Sequence, residues 1–248
     1  MTHQSKFVIS LYDYTGEALI PWAKAGYTCY AFDIQHDAKT IRKEHFEGGG
    51  MIRYVNADLH KQETFHSLLS VFRNKVVFGM AFPVCTDLAV SGAAHFKRKA
   101  KVNPKFQWEA TRHAVRCSYL FEDLEIPYFI ENPVSVLSTL WRKPNYSFHP
   151  WHYGGYISDD EAEHPKWPDY IAPKDAYPKK TCLWTGNNFR MPIKLPVKPE
   201  DGHSRQHLKL GGKSMKTKNI RSATPRGFAK AVWQANDPVI WRYSNLVA

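Results

Sequence analysis

The sequence predicts an α/β protein with a doubly wound, mainly parallel sheet, and three observations lead there. Short apolar, strand-like runs alternate with helix-like stretches from residue 6 to residue 132. The turns between them are brief, as in chains of βαβ units. Several of the strand-like runs end on polar or reactive residues, as happens where an open sheet meets its ligand. A chain of 248 residues can bury the core that such a sheet needs.

Taken in order, "KFVISL" (6–11) and "YTCYAFD" (27–33) read as the first two strands. Between them "GEALIPWAKAG" is helical, with Pro21 near its start and Gly26 as its stop. "HDAKTIRKEHF" reads as a helix closed by "EGGG", and "MIRYVN" (51–56) as the third strand. "HKQETFHSLLSVF" places Phe65, Leu68, Leu69 and Phe72 on one helical face. "KVVFGM" (75–80) is the fourth strand, residues 104–124 the longest helix, and "IPYFIEN" (126–132) the fifth strand. Beyond residue 141 the alternation fades into Pro- and aromatic-rich chain, with an acidic patch "SDDEAEHP" expected in an exposed loop. "KKTCLWTG" can add a strand, and "TPRGFAKAVWQAN" (224–236) a closing helix with Thr224 as N-cap and Pro225 at its first position. The expected organisation is a core over 1–184, a short basic contact segment over 185–223, and a closing helix and tail over 224–248.

Composition narrows the function classes. Hydrophobic residues make up 43% and charged residues 23%, ordinary proportions for a globular chain. No apolar run approaches the roughly 20 residues that cross a bilayer, and "MTHQSKFVIS" lacks a signal-peptide pattern, so a cytoplasmic monomer away from membranes is expected. Cys29, Cys85, Cys117 and Cys182 are scattered, with no CxxC pair, and the tightest His pair, His149 and His152, has no further ligand cluster beside it. Neither a disulfide framework nor a metal is expected. The net charge of +11 is concentrated: residues 97–105 carry five Lys or Arg and no acid, and residues 203–221 carry six and no acid. Two such stretches point to a polyanion, nucleic acid first, with solvated loops as the alternative.

Four of the strand ends carry candidate chemistry: "YDYTGE" after the first, Asp33 at the second, "FPVC" after the fourth and "ENP" after the fifth, with Asp58 following the third. A carboxylate at the end of the second strand is well placed to accept from a ribose. Alone, Cys85 reads as a small buried hydrophobe rather than a nucleophile, and the alternative for Glu131 is a cap for the helix that follows.

In this order, "LYDYTGE", Asp33, "FPVC", "ENP", "KKTCLW" and "TPRGFAKAV" resemble the DNA cytosine-5 methyltransferases, especially short, phage-type members, over most of residues 7–236. The resemblance implies a Rossmann-like, class I S-adenosylmethionine-dependent methyltransferase fold with a reduced target-recognition segment. It implies Cys85 as the thiolate that adds to C6 of cytosine, Glu131 on the N3/N4 edge of the base, Asn132 holding the loop, and Lys180 or its neighbour Lys179 orienting the base. S-adenosylmethionine would lie against Tyr12, Asp13, Thr15, Gly16 and Pro83, with Asp33 at its ribose and Asp58 near its adenine. Tyr14 and Glu17 stand where the family's loop has its outer glycines, so a modified form of the donor is also admitted. The target base would be flipped from a duplex or taken from a single strand. Lys97, Arg98, Lys99, Lys101, Arg205, Lys213, Lys216, Lys218 and Arg221 would contact DNA, the "KRKAKVNPK" segment as a mobile closing loop. Two alternatives remain: modification of free cytosine nucleotides, and a non-catalytic DNA-binding relative.

Overall fold

A computed structural model describes residues 7–211 and 214–240. Lys213 and the tail from residue 241 therefore lie outside the described residues. The elements in chain order are β1 (Phe7–Leu11), α1 (Ile20–Lys24), β2 (Thr28–Asp33), β3 (Arg42–His45), β4 (Met51–Asn56), α2 (Gln62–Phe72), β5 (Val76–Ala81), α3 (Phe96–Val102) and α4 (Phe106–Asp123). They continue with β6 (Tyr128–Pro133), α5 (Leu137–Leu140), β7 (Tyr146–Phe148), β8 (Thr181–Gly186), α6 (Arg205–Lys209), α7 (Met215–Ser222) and α8 (Arg226–Asn236).

The eight strands form one mixed sheet in the order β3-β4-β2-β1-β5-β6-β8-β7. The five strands β4, β2, β1, β5 and β6 run parallel, while β3 and β8 run against their neighbours and β7 against β8. The parallel block winds outward in both directions from β1, which puts the change of strand order, and the crevice it opens, between β1 and β5. This is an α/β architecture compatible with a Rossmann-like fold.

Alternation along the strands sorts side chains into two cores. Ile9 and Leu11 join α2 and α4 through Phe65, Leu68, Phe72, Cys117 and Phe121 on one face. Val8, Phe78 and Phe129 join α1 and α8 through Trp22, Phe228 and Val232 on the other. The Phe228 ring stacks on Phe148 at 4.0 Å, anchoring α8 against β7. Cys29, Cys117 and Cys182 are packed in these cores, as their apolar surroundings in the sequence lead one to expect.

Three local expectations are corrected. Residues 36–46 do not form a helix: Asp37 accepts from the backbone N–H of Lys39 and Thr40, and the chain then pairs as β3 along β4. The hairpin is favoured by Arg42 lying 3.4 Å over the Tyr54 ring and by Tyr54 Oη donating to Glu44 at 2.7 Å. A Cβ on Gly48 or Gly50 would sit 1.9 Å from Lys24 O or 2.2 Å from Ala23 O, so those glycines let the turn close onto α1. The segment expected as a loop at 97–105 is largely helix α3, and its Lys99 is tied back to the Asp87 carboxylate and the Thr86 carbonyl. Finally, Pro225 rather than Thr224 occupies the N-cap of α8, and no side chain caps it. Among the described residues no helix is long and apolar enough to cross a membrane.

Candidate active site

The cysteine loop is built from both neighbouring strands. After β5 the Phe82 N–H donates to Leu11 O at 3.0 Å, which carries the chain past the end of β1 before Pro83 turns it. Cys85 then closes a tight turn, its carbonyl accepting from Leu88 and Ala89 at 3.0 and 2.9 Å. Asn132, fully buried, donates from Nδ2 to Pro83 O at 2.9 Å. Backbone bonds from Val90 to Val134 and from Val136 to Leu88 lock the same loop to the chain after β6. Cys85 is half-buried, while the other three cysteines are buried.

Cys85, Glu131 and Lys179 form one electrostatic group. Burial pushes the Cys85 thiol up, the Glu131 charge pushes it further, and Lys179 pulls it down. Burial likewise raises the Glu131 carboxyl, with Lys179 opposing. Lys179 donates to Arg221 O at 2.9 Å and lines a small cavity with Glu131, Phe82 and Thr181. That cavity is roofed by Ser222 to Pro225 and measures about 10 Å³, room for one water. The assignment of Lys180 is corrected here. Side chains at the start of β8 alternate, so Lys179 and Thr181 face Glu131 while Lys180 and Cys182 face a separate cleft. Period two along "PKKTCLW" was the signal available in the sequence.

On the β1–β2 side, Asp13 is buried and its carboxylate is occupied: it accepts from Ser10 Oγ, Thr15 Oγ1 and Gly16 N. It therefore shapes the turn from beneath rather than offering a free oxygen to a ligand. Gly16 has φ of 70°, and a Cβ there would lie 2.7 Å from Tyr54 Oη, so glycine is required. Tyr12 also has positive φ, 57°, and its hydroxyl donates to Leu59 O at 2.8 Å and meets His113 Nδ1 at 3.3 Å. Burial, with the nearby charges of His60 and Arg116, holds His113 down at about 4. Neither His60 nor His113 was legible as a site residue, since their contact with Tyr12 spans up to 101 positions.

Tyr14 stacks on His36 at 5.5 Å, filling space that a glycine would leave open. Glu17 turns inward to pair with Lys166 at 2.7 Å. Asp33 sits at the end of β2 with Oδ1 accepting from Gln35 N at 2.8 Å, and its second oxygen takes no part in that turn. Asp58 accepts from His60 N at 3.0 Å and opens the loop into α2.

The basic residues divide into two groups. Lys97, Arg98 and Lys101 are exposed on α3, and Lys216 and Lys218 on α7. Asn219 on α7 donates to Gln35 Oε1 at 3.2 Å, which lays that helix across the edge where β2 ends. Three others are tied internally. Arg205 grips Glu200 and the Pro168 carbonyl, Arg221 donates to Leu210 O at 2.7 Å, and Lys99 holds the cysteine loop as described. Each of these three has an acceptor inside the fold that takes up part of its donor capacity, and Arg221 is also solvent-exposed. Among the described residues no group of three or more His, Cys, Asp or Glu is placed to hold a metal ion. Compared with known proteins, the chain matches no family model and no curated protein.

Proposed function

We propose that this chain transfers a methyl group to C5 of cytosine in DNA, with Cys85 as the covalent nucleophile. The observation that carries the reading is the clamped unit at the ends of β5 and β6, where Asn132 fixes the cysteine loop and Glu131 and Lys179 act electrostatically on the thiol.

The chemistry divides among these residues. Cys85 Sγ, as thiolate, forms a bond to C6, and the ring electrons move toward N3. Glu131, whose raised carboxyl favours the protonated form, donates to N3 and stabilises that charge. C5 thereby becomes nucleophilic. After transfer, the C5 proton passes to water, the electrons it leaves expel Cys85 Sγ from C6, and N3 returns its proton to Glu131, which restores the aromatic ring. The Lys179 charge acts on both groups, favouring the thiolate and limiting how far the Glu131 carboxyl rises.

The residues at the ends of β1 and β2 fit the nucleoside part of S-adenosylmethionine. Asp33 presents a carboxylate oxygen at the strand end, beside the Gly16 turn that packs against the Tyr54 side chain. Bound there, the donor supplies an electrophilic methyl group. Asp33 would hold the ribose, with Tyr14 and His36 as an aromatic wall beside it. The same Tyr14 side chain narrows the loop and favours testing a modified donor alongside.

Cys85 does not line the water-sized cavity beside Glu131, so a base that meets both residues requires the chain around that cavity to shift. Exposed cations on α3 and α7 support DNA as the partner through phosphate contacts. Incubating the protein with S-adenosylmethionine and either DNA or cytosine nucleotides, followed by mass spectrometry of both, tests the reading. A methyl mass increment on DNA cytosine is expected. An increment on nucleotides alone transfers the chemistry to a small-molecule enzyme, and donor binding without any increment leaves a DNA-binding protein.

A further inference from the structure

The β6–β8 ribbon separates two spaces. One is the Glu131 cavity; the other is a cleft of about 210 Å³ on the opposite side, reached from the same end of the ribbon. Its lining includes three hydroxyls, from Ser135, Ser138 and Ser147, and the Lys180 ammonium, and no acidic side chain. Ser135 is 4% exposed, and its Oγ is buried without any hydrogen-bond partner. Burying a hydroxyl without a hydrogen-bond partner is unfavourable, so its position beside this cleft calls for an acceptor or donor to come from outside. Ser135 also pairs with Ala89 across the clamp that holds the cysteine loop. The cleft is therefore mechanically part of the loop that presents Cys85.

We propose that this cleft binds a phosphodiester of the DNA strand that carries the target cytosine. The inference rests on the methyltransferase reading above and adds to it a defined backbone contact. A tetrahedral oxyanion matches the lining: Lys180 supplies charge at the rim and Ser135 an uncommitted hydroxyl within, while the Ser138 hydroxyl donates to Ser135 O at 3.1 Å. Lys180 faces away from the base-binding side, so it anchors the strand rather than orienting the base. Free phosphate offers the same chemistry, but the position beside the Cys85 clamp favours a phosphate attached to the reacting nucleotide or its neighbour.

The test measures binding of a cytosine-containing duplex by fluorescence anisotropy over a series of salt concentrations. The proteins compared are wild type, Lys180→Gln, Lys180→Arg and Ser135→Ala. Lys180→Gln should weaken binding several-fold and reduce the log–log salt slope by about 0.9, with Lys180→Arg restoring both. Duplexes in which single phosphates are replaced by neutral methylphosphonates then locate the contact. One substitution near the target cytosine should weaken the wild type and leave Lys180→Gln unchanged, whereas Ser135→Ala should weaken binding with no change in slope. Millimolar inorganic phosphate should compete no better than its ionic strength predicts; selective competition would assign the cleft to free phosphate and overturn the proposal. An unchanged slope in Lys180→Gln, in a protein that still binds and methylates DNA, overturns this inference and spares the parent reading. Loss of all DNA binding by the wild type overturns both.

Discussion

Asp175 gives a prediction whose size follows from its surroundings. It has no exposed surface; Oδ2 accepts from Gly227 N at 2.9 Å, and Oδ1 has no partner. Through Gly227 it pins the start of α8, and with it the segment that roofs Glu131. Burial pushes its carboxyl up to about 6, against the opposing pull of the Gly227 bond and Arg226. An unfolded Asp titrates near 3.9, so the gap is about 2 pH units, or about 3 kcal/mol at 1.36 kcal/mol per unit. The native state holds the proton more tightly. Its stabilisation is therefore complete below about pH 4 and is lost as pH rises through about 6. Asp175→Asn keeps the volume and an oxygen for Gly227 but cannot ionise. Urea unfolding followed by tryptophan fluorescence should show the variant gaining about 3 kcal/mol on the wild type between about pH 4 and about pH 7. A difference that does not change with pH would refute the argument. A variant that loses ground as pH rises would show that Arg226 makes the ionised form the favoured one.

Three further outcomes follow from the site. Glu131→Gln should lower the transfer rate on the order of 10²-fold while leaving DNA affinity near wild type, and an unchanged rate would reduce Glu131 to a helix cap. Lys179→Met removes the charge that lowers the Cys85 thiol, so the ascending limb of the pH–rate profile should move to higher pH. Single-turnover rates across pH would show no movement if Lys179 does not act on the thiol. Target selectivity should be weak, because Arg205 and Arg221 are tied to internal acceptors and Gln206 is buried, leaving few side chains to read base edges. Sequencing of converted DNA should find marks in a context of one or two neighbouring bases; marks confined to a long defined site would contradict this.

The legible and illegible parts of the chain differ in the range of the interactions that decide them. The parallel strands were readable because buried strands carry continuous apolar runs, and all five lie within one or two residues of where "KFVISL", "YTCYAFD", "MIRYVN", "KVVFGM" and "IPYFIEN" place them. β3 was hidden because "TIRKEHF" has helix-forming residues, and its pairing depends on Tyr54 and on glycines packed against α1. The three-residue β7 lies in irregular chain and is held by β8 and by Phe228 stacking on Phe148. At the site, Cys85, Glu131 and Asn132 were readable from their places after strands. The choice between Lys179 and Lys180 needed the register of β8, and the internal commitments of Arg205 and Arg221 depend on tertiary neighbours that charge counting does not reveal.

The central claim is that Cys85 forms a covalent bond to the target base. DNA carrying 5-fluorocytosine tests it directly, because fluorine at C5 cannot leave as a proton does and the release of Cys85 Sγ is blocked. With S-adenosylmethionine present, wild-type protein should form a denaturation-resistant complex with this DNA, mapped by peptide mass spectrometry to Cys85. Cys85→Ala should form none while keeping its fold and its affinity for DNA. Methylation of ordinary DNA without any adduct on the fluorinated DNA, or turnover by Cys85→Ala near the wild-type rate, would contradict the account.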